Sequence, residues 1–225
     1  MFTAQTFKFL KELERNNTRE WFALNKTRYE DVVRTPAFDY IESIATPLAK
    51  ISPHFIASAK KTGGSLMRVH RDIRFSKDKT PYKTNIGIHF RHSAGRDVHA
   101  PGFYLHIEPG ECFLAAGIYS PDNPTLSKVR TLIDEYPNEW ISIRDKLVNN
   151  QSGFAWHGDS LKRPPRGYDA SHPSLDDLKR KHFIAVKPLS QKAITTKTLV
   201  KDSTRLFATT AALLGFICDA CDLPF

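Results

Sequence analysis

The segment from Arg68 to Lys83 holds the densest set of side chains that could do chemistry. It runs RVHRDIRFSKDKTPYK and is rich in arginine, lysine and aspartate. On an extended backbone, alternate residues project from one face roughly 6–7 Å apart, which groups Arg68, Asp72 and Arg74. Two guanidiniums beside one carboxylate keep spare donors in a planar fork that suits a carboxylate or a phosphate. The segment therefore predicts a pocket for an anion.

Individual roles follow from residue type. The predicted ligand-binding residues are Arg68, Arg71, Arg74, Lys79 and Tyr82, and Asp72 is the candidate catalytic residue, as an orienting group or a base. Pro81 fixes its own backbone and biases Thr80 toward an extended conformation, which would hold the residues on either side. Because its neighbours are positively charged, Asp72 is expected to be ionised, with a lowered pKa.

The same segment resembles the bacterial family catalogued as domain of unknown function 2461. The family signature is Arg-x-x-Arg-Asp-x-Arg-Phe-x-x-x-Lys-x-Pro-Tyr. The sequence matches all eight fixed positions, which are Arg68, Arg71, Asp72, Arg74, Phe75, Lys79, Pro81 and Tyr82. The resemblance continues through Trp21-Phe22, residues 101–106 and residues 165–169, and so covers essentially the whole chain. It implies membership of the family and specifies no reaction.

A structural interpretation of the motif stays open beside the functional one. Asp72 could pair with the arginines and Tyr82 could close a turn, with no ligand involved. Buried ion pairs of this kind can support the specificity of a fold. The chain is then a structural or interaction module whose charged motif only holds the fold together.

The charge distribution favours an anionic partner. The net charge is +9, and residues 60–101 and 160–201 each contain ten Lys or Arg against three Asp. Clustered positive charge attracts anions and speeds their encounter, although the same excess also serves solubility. An anionic small molecule is the expected partner. The alternative is binding of nucleic acid through one basic surface. Such binding would be sequence-non-specific, because no helix-turn-helix, RNP or zinc-finger spacing occurs.

Histidines on two predicted strands offer a weaker candidate site. His89 and His106 occupy polar-face positions on strands that could be neighbours, with His92, His99 and Glu108 nearby in sequence. Two histidines and a carboxylate can hold a divalent metal. Compact ligand spacing such as HExxH is absent, so hydrogen-bonded strand histidines are expected instead. No metal and no cofactor are predicted.

Other catalytic signatures are weak or missing. Cys218 and Cys221 have CxxC spacing, but a single pair at the C-terminal end fits a helix tail better than a redox or zinc site. Neither the phosphate-binding GxxxxGK[ST] loop nor the GxSxG elbow occurs. Whether the protein is an enzyme is left open by the sequence.

Hydrophobic periodicity indicates which elements must position these residues. Helical spacing predicts three helices within the first fifty residues, others on both sides of Pro137, a short helix from Ser174 and a closing helix over residues 206–217. Alternation predicts strands over residues 67–75, 86–91, 103–108 and 112–119, and a later one through residues 182–186. Residues 151–173 are predicted as mostly loop. Helices at the ends and consecutive strands in the middle predict an α+β fold with a mixed or mainly antiparallel sheet.

Length and composition predict a single domain over residues 1–225. A chain of 225 residues buries enough surface to fold without a metal or a disulfide. The N-terminus lacks the basic start and apolar core of a signal peptide, and no apolar run approaches the ~20 residues that span a bilayer. Three cysteines do not make a disulfide framework. A cytoplasmic protein with no membrane association is expected, and its oligomeric state is not specified.

Overall fold

The protein has an α+β fold built around one antiparallel sheet, as the sequence predicts. A computed structural model describes residues 1–95, 99–149 and 153–225. Arg96 and Asp97 of the first basic segment, and residues 150–152 at the border of the predicted loop, lie outside the described residues. Within the described ranges, no helix has the length and apolar character needed to cross a bilayer.

Four α-helices form the N-terminal part of the chain, and the first two begin at capping residues that the sequence provides. They are α1 (Ala4–Arg15), α2 (Arg19–Leu24), α3 (Lys26–Tyr29) and α4 (Thr35–Ala49), with a π-helical turn (Glu30–Arg34) before α4. Thr3 caps α1, and the side-chain oxygen of Thr18 accepts a hydrogen bond from the backbone N–H of Trp21 at 3.2 Å. Such caps satisfy backbone donors that the first helical turn leaves unpaired.

The later helices flank the last strands. They are α5 (Asn123–Glu135), α6 (Pro137–Asn149), α7 (Leu175–Leu178), α8 (Gln191–Ile194), α9 (Leu199–Ala208) and α10 (Ala211–Ala220). Pro137 divides α5 from α6, as predicted, because proline suits a first turn and not a helix interior. The predicted closing helix is two helices, divided where the Thr210 hydroxyl donates to the carbonyl of Phe207 at 2.8 Å.

Five strands form the sheet in the order β1-β2-β3-β5-β4, and every neighbouring pair is antiparallel. They are β1 (Ile86–Arg91), β2 (Gly102–Glu108), β3 (Glu111–Ile118), β4 (Ala155–His157) and β5 (Phe183–Leu189). In the β1–β2 register, His89 lies opposite Tyr104 and Gly87 lies opposite His106. The short strand β4, within the segment predicted as loop, was missed because three residues carry too little periodicity to detect.

The two faces of the sheet have different chemistry. One face carries Ile88, Leu105 and Leu114, all 0% exposed, and packs against helices that include α9 and α10. The other face carries His89 and His106 among the alternate residues of β1 and β2. The period of two fixes this division, because a residue and its second neighbour project to the same side. The first face is the core, and we call the second the polar face.

The predicted strand over residues 67–75 does not form. Residues 65–71 double back against residues 81–89 through isolated bridges and scattered hydrogen bonds, and residues 72–80 form the loop that joins them. Phe75 is 95% exposed, although alternation predicted it on an apolar face. Alternation failed here because residues 72–80 turn back in a loop, so they form no strand face on which their apolar side chains could be buried. We call residues 65–85 the basic arm.

Candidate functional site

The basic arm lies along the free edge of β1. Two backbone hydrogen bonds join the arm to this strand: the N–H of Met67 donates to the carbonyl of Gly87 at 2.9 Å, and the N–H of His89 donates to the carbonyl of Ser65 at 2.8 Å. The arm therefore extends the sheet on the side where β1 would otherwise present unpaired backbone groups.

The N-terminal helices hold the arm in place. The amide side chain of Asn17 donates to the carbonyl of Tyr82 at 2.9 Å and accepts from its backbone N–H at 3.0 Å. The ring of Tyr82 is buried and stacks on Phe22, with centroids 4.1 Å apart. The predicted ligand-binding residue Tyr82 thus anchors the arm to α2.

Ion pairs organise the tip of the arm. Asp72 accepts two hydrogen bonds from the guanidinium of Arg74, at 2.9 and 2.6 Å, while Arg71 pairs with Asp78 and contacts the hydroxyl of Thr80. The hydrogen bonds from Arg74 hold the pKa of Asp72 well below its usual range, and the charge of Arg68 acts in the same direction. The predicted lowering of this pKa is confirmed.

The predicted site residues do not converge on one cavity. Arg71 and Tyr82 line a polar cavity of about 390 Å³ together with Asn17. Arg74 is exposed and paired with Asp72, and the ammonium group of Lys79 donates to the carbonyl of Ile73 at 2.9 Å. Asp72 therefore pairs with an arginine, as in the structural interpretation of the motif, but the pair is exposed and not buried.

A second cavity lies over the polar face and has a volume of about 770 Å³. Its floor on β3 and β5 is largely apolar and includes Phe113, Ala115, Ile184 and Val186. Toward β1 and β2 the lining becomes polar, with His89, Tyr104 and His106, and Met67 and Lys83 of the basic arm contribute to the wall. A cavity of this size, mostly apolar with a few convergent polar groups, is typical of a small-molecule site.

A hydrogen-bonded chain crosses the polar end of this cavity. The hydroxyl of Tyr104 lies 3.2 Å from Nδ1 of His106, and Nε2 of His106 lies 3.2 Å from Oε2 of Glu108. The hydroxyl of Thr84 donates to Oε1 of Glu108 at 2.6 Å, and the amide nitrogen of Asn85 lies 3.4 Å from Nδ1 of His106. A carboxylate can only accept, so Nε2 carries the proton and Nδ1 offers its lone pair to Tyr104.

Packing fixes the members of this chain. The ring of His106 stacks on Phe113, with centroids 4.6 Å apart and an interplanar angle of 5°. Burial, with a smaller effect of the Glu108 carboxylate, raises the pKa of Tyr104 to about 12. The phenol is therefore protonated at neutral pH and can donate the hydrogen bond to His106.

His89 lines the same cavity, and its ring has a buried polar atom without a partner in the described part of the chain. It is 9% exposed, and within the described residues its Nδ1 has no hydrogen-bonding partner. Burial lowers the pKa of His89 to about 4, so the ring is neutral at pH 7. A buried polar atom without a partner costs free energy, of the order of 1–3 kcal/mol.

Lys83 stands where the two cavities meet and lines both of them. Burial lowers its pKa, and the positive charge of Arg68 lowers it further. Within the described ranges, neither the ammonium group of Lys83 nor the guanidinium of Arg68 has a hydrogen bond or an ion pair. Sequence reasoning missed Lys83 because nothing in the pattern distinguishes it from the other lysines of the arm.

A second carboxylate, that of Glu111, lies near this chain of hydrogen bonds at the β2–β3 turn. His106, Glu108 and Glu111 each offer an atom within 4.8 Å of the others, and in the described part of the chain this is the group that could hold a metal ion. It contains two of the residues from the sequence-based metal alternative. Nε2 of His106 is already hydrogen-bonded to Glu108, however, so a cation would have to replace that bond.

The other sequence candidates lie elsewhere. His92 is 1% exposed, its Nε2 lies 2.8 Å from the carbonyl of Pro224, and it does not line the larger cavity. Nδ1 of His99 lies 3.3 Å from the carbonyl of Tyr119. Cys218 is in α10 and Cys221 is its C-cap, both as free thiols, which is the predicted helix tail.

The basic arm and the loop over residues 162–166 adjoin strands at opposite ends of the sheet order. The arm borders β1 at one edge, whereas the loop with Lys162, Arg163 and Arg166 follows β4 at the other. A single surface made from both segments would need them side by side. The strand order instead puts β1 and β4 at its two ends, and the rest of the second segment includes the interior strand β5.

Fold and cavity define the class of the protein: an α+β protein with a ligand-sized cavity on the polar face of one antiparallel sheet. The chain belongs to the family described as conserved hypothetical protein (DUF2461), whose profile matches residues 5–216. No curated protein and no solved structure matches this chain.

Proposed function

We propose that this protein binds a small organic molecule that carries an anionic group, in the cavity over the polar face. The ligand's apolar part would lie on the floor formed by β3 and β5. Its anionic group would lie at Lys83, with Arg68 adding positive potential. The observation that carries the proposal is the partly buried Lys83, whose ammonium group has no counter-charge among the described residues and which lines a mostly apolar cavity.

This proposal keeps the anionic ligand expected from the sequence and moves the site. Arg71, Arg74 and Lys79 already have partners within the arm, so an anion would have to compete with them. Lys83 has a lowered pKa because burial removes part of the hydration of its ammonium group. A bound anion would stabilise the charged ammonium group in place of that water. Arg68 and Tyr82 keep supporting roles, one through its charge and the other by anchoring the arm.

A matched pair of fluorescent probes tests the proposal. 8-Anilino-1-naphthalenesulfonate (ANS) has an aromatic body and a sulfonate, whereas N-phenyl-1-naphthylamine has the same body without the charge. The folded protein is expected to bind one molecule of ANS per chain. Lys83→Met should weaken ANS about tenfold, which is about 1.4 kcal/mol, and leave the neutral probe unchanged.

Two further variants locate the binding. Lys187→Met removes the same charge from β5 at a residue that does not line the cavity, and should leave ANS affinity unchanged. Val186→Trp fills the apolar floor and should weaken both probes. Equal losses of ANS affinity in the two lysine variants would mean that net charge alone attracts it, and the proposed site would be wrong.

A further inference from the structure

We infer that Tyr104, His106 and Glu108 form an acid–base relay that removes a proton from the bound ligand. The inference rests on the proposed function, and it assigns the ligand class: an anionic molecule with an acidic C–H bond next to a carbonyl group. The protein would then be an enzyme of proton transfer.

The geometry is that of a base held ready by its neighbours. Tyr104 lines the cavity, its hydroxyl faces the lone pair of Nδ1 on His106, and the proton on Nε2 faces Glu108. Thr84 fixes the carboxylate from its other oxygen. A base oriented by a second group, which a third group orients in turn, is the arrangement that general-base catalysis uses.

Proton transfer balances without any further reactant. The phenolic proton passes to Nδ1 of His106 as the phenolic oxygen takes the substrate proton. The electron pair of the broken C–H bond forms the C=C bond of an enolate, and the carbonyl electrons move to oxygen. The imidazolium is stabilised by Glu108, and the enolate charge by the ammonium group of Lys83. Return of the protons restores the relay.

Covalent catalysis is not supported by the nearby thiol. Cys112 also lines the cavity, but its sulfur donates to the carbonyl of Glu108 at 3.3 Å, and burial raises its pKa. A buried protonated thiol is a poor nucleophile. Tyr104 is therefore the catalytic residue, and His106 and Glu108 act through it as positioning residues.

A ring-nitrogen NMR experiment tests the relay without any ligand. Long-range ¹H–¹⁵N spectra of the imidazoles should show His106 protonated on Nε2, with a hydrogen-bonded Nδ1 whose shift changes in Tyr104→Phe. Tyr136→Phe, which removes an exposed phenol outside the cavity, should leave that shift unchanged. A His106 ring protonated on Nδ1, or one that does not respond to Tyr104→Phe, would overturn the relay.

Deuterium exchange tests the chemistry. The probe is phenylpyruvate, which has an aromatic body, a carboxylate and methylene protons next to a carbonyl group. Phenylpyruvate should displace ANS from the protein. In D₂O, the protein should accelerate the exchange of those protons by at least about a hundredfold over buffer. Tyr104→Phe should abolish the acceleration, Glu108→Gln should reduce it about tenfold, and Tyr136→Phe should keep it.

The outcomes separate the two claims. If phenylpyruvate displaces ANS without exchange, the relay is wrong and the binding site stands. If phenylpyruvate does not displace ANS, the assigned ligand class is wrong. If Val186→Trp does not change the affinity for ANS, the proposed binding site is wrong. The imidazole spectra alone then test the relay. If addition of EDTA abolishes the exchange, the relay is wrong, and a cation bound by His106, Glu108 and Glu111 promotes the exchange instead.

Discussion

The hydroxyl of Tyr104 lies directly over Gly87. A Cβ atom at Gly87 would come within 2.6 Å of this hydroxyl oxygen and 3.0 Å of the sulfur of Met67. Real Cβ atoms essentially never approach so closely, so the phenol can reach His106 only because residue 87 has no side chain. The glycine on β1 therefore places the hydroxyl of a residue on β2.

We predict that Gly87→Ala displaces Tyr104 from His106 while the protein still folds. Backbone strain is not involved, because Gly87 is not among the glycines with positive φ. The His106 Nδ1 shift in ¹H–¹⁵N spectra should change as it does in Tyr104→Phe. Gly215→Ala is the control, since its Cβ would meet the Phe225 ring at 3.7 Å and should stabilise α10 by about 1 kcal/mol. An unchanged His106 shift in Gly87→Ala would contradict this account of Tyr104.

Asp72→Asn is predicted to leave the melting temperature nearly unchanged. Both partners of the Asp72–Arg74 pair are largely solvent-accessible, at 43% and 75% of their side chains, and exposed pairs contribute little. This outcome differs from the large loss expected if the motif were a buried network. Urea unfolding of Asp72→Asn beside Arg74→Lys measures it, and a clear loss in either variant would show that the tip is buried in solution.

Asp177→Ala is predicted to be strongly destabilising. Asp177 is 2% exposed and accepts hydrogen bonds from Trp140 at 2.8 Å, Arg180 at 2.9 Å and Arg144 at 3.2 Å. Removing one partner of a buried charge network leaves the others uncompensated, at a cost of about 3–5 kcal/mol. The same urea experiment measures this cost, with Asp176→Ala as the control, because Asp176 is an exposed neighbour on α7. Equal stability of the two variants would contradict the buried network.

Stability is predicted to fall between pH 6.5 and pH 4 because of His89. Its pKa is about 4 in the folded protein, against 6.5 for an ordinary histidine, so the unfolded state takes up the proton first as pH falls. Stability is therefore unaffected by this group above pH 6.5 and decreases as pH falls from 6.5 to 4, with a total loss of about 3 kcal/mol. Urea unfolding at several pH values should show this slope.

His89→Phe provides the check on that slope. The variant removes the titrating group and the unpartnered Nδ1, so it should be at least as stable as the original protein at pH 7 and less sensitive to pH. A slope that persists in His89→Phe would assign the pH dependence to other groups.

Binding of nucleic acid, if the basic arm supports it, is predicted to be weak, salt-sensitive and indifferent to sequence. Contacts between phosphates and Lys or Arg release counterions, so affinity falls steeply as salt rises. Fluorescence polarisation with two labelled duplexes of unrelated sequence, at 50 and 200 mM salt, measures both properties. A sequence-selective complex that survives the higher salt would favour nucleic acid over the small molecule.

The sequence alone determined the fold class and most of the elements. Alternation in residues 86–91, 103–108 and 112–119 marked β1, β2 and β3 correctly, because every second side chain of each strand is apolar and faces the core. The same alternation placed His89 and His106 on one face, and it also aligned Tyr104, His106 and Glu108, a signal that could have identified the chain of hydrogen bonds. The eight-position motif indicated the family.

Only the tertiary structure decided where the candidate site lies. Motif density pointed to residues 68–82, but those side chains pair largely with one another or anchor the arm. The cavity arises from the contact of the arm with β1 and from the order of β3, β5 and β4, which are non-local relationships that no local pattern encodes. Burial of Lys83 and the approach of Tyr104 to Gly87 depend on the same packing. Local spacing specifies which side chains share a strand face, whereas long-range packing determines which of them remain without a partner beside a cavity.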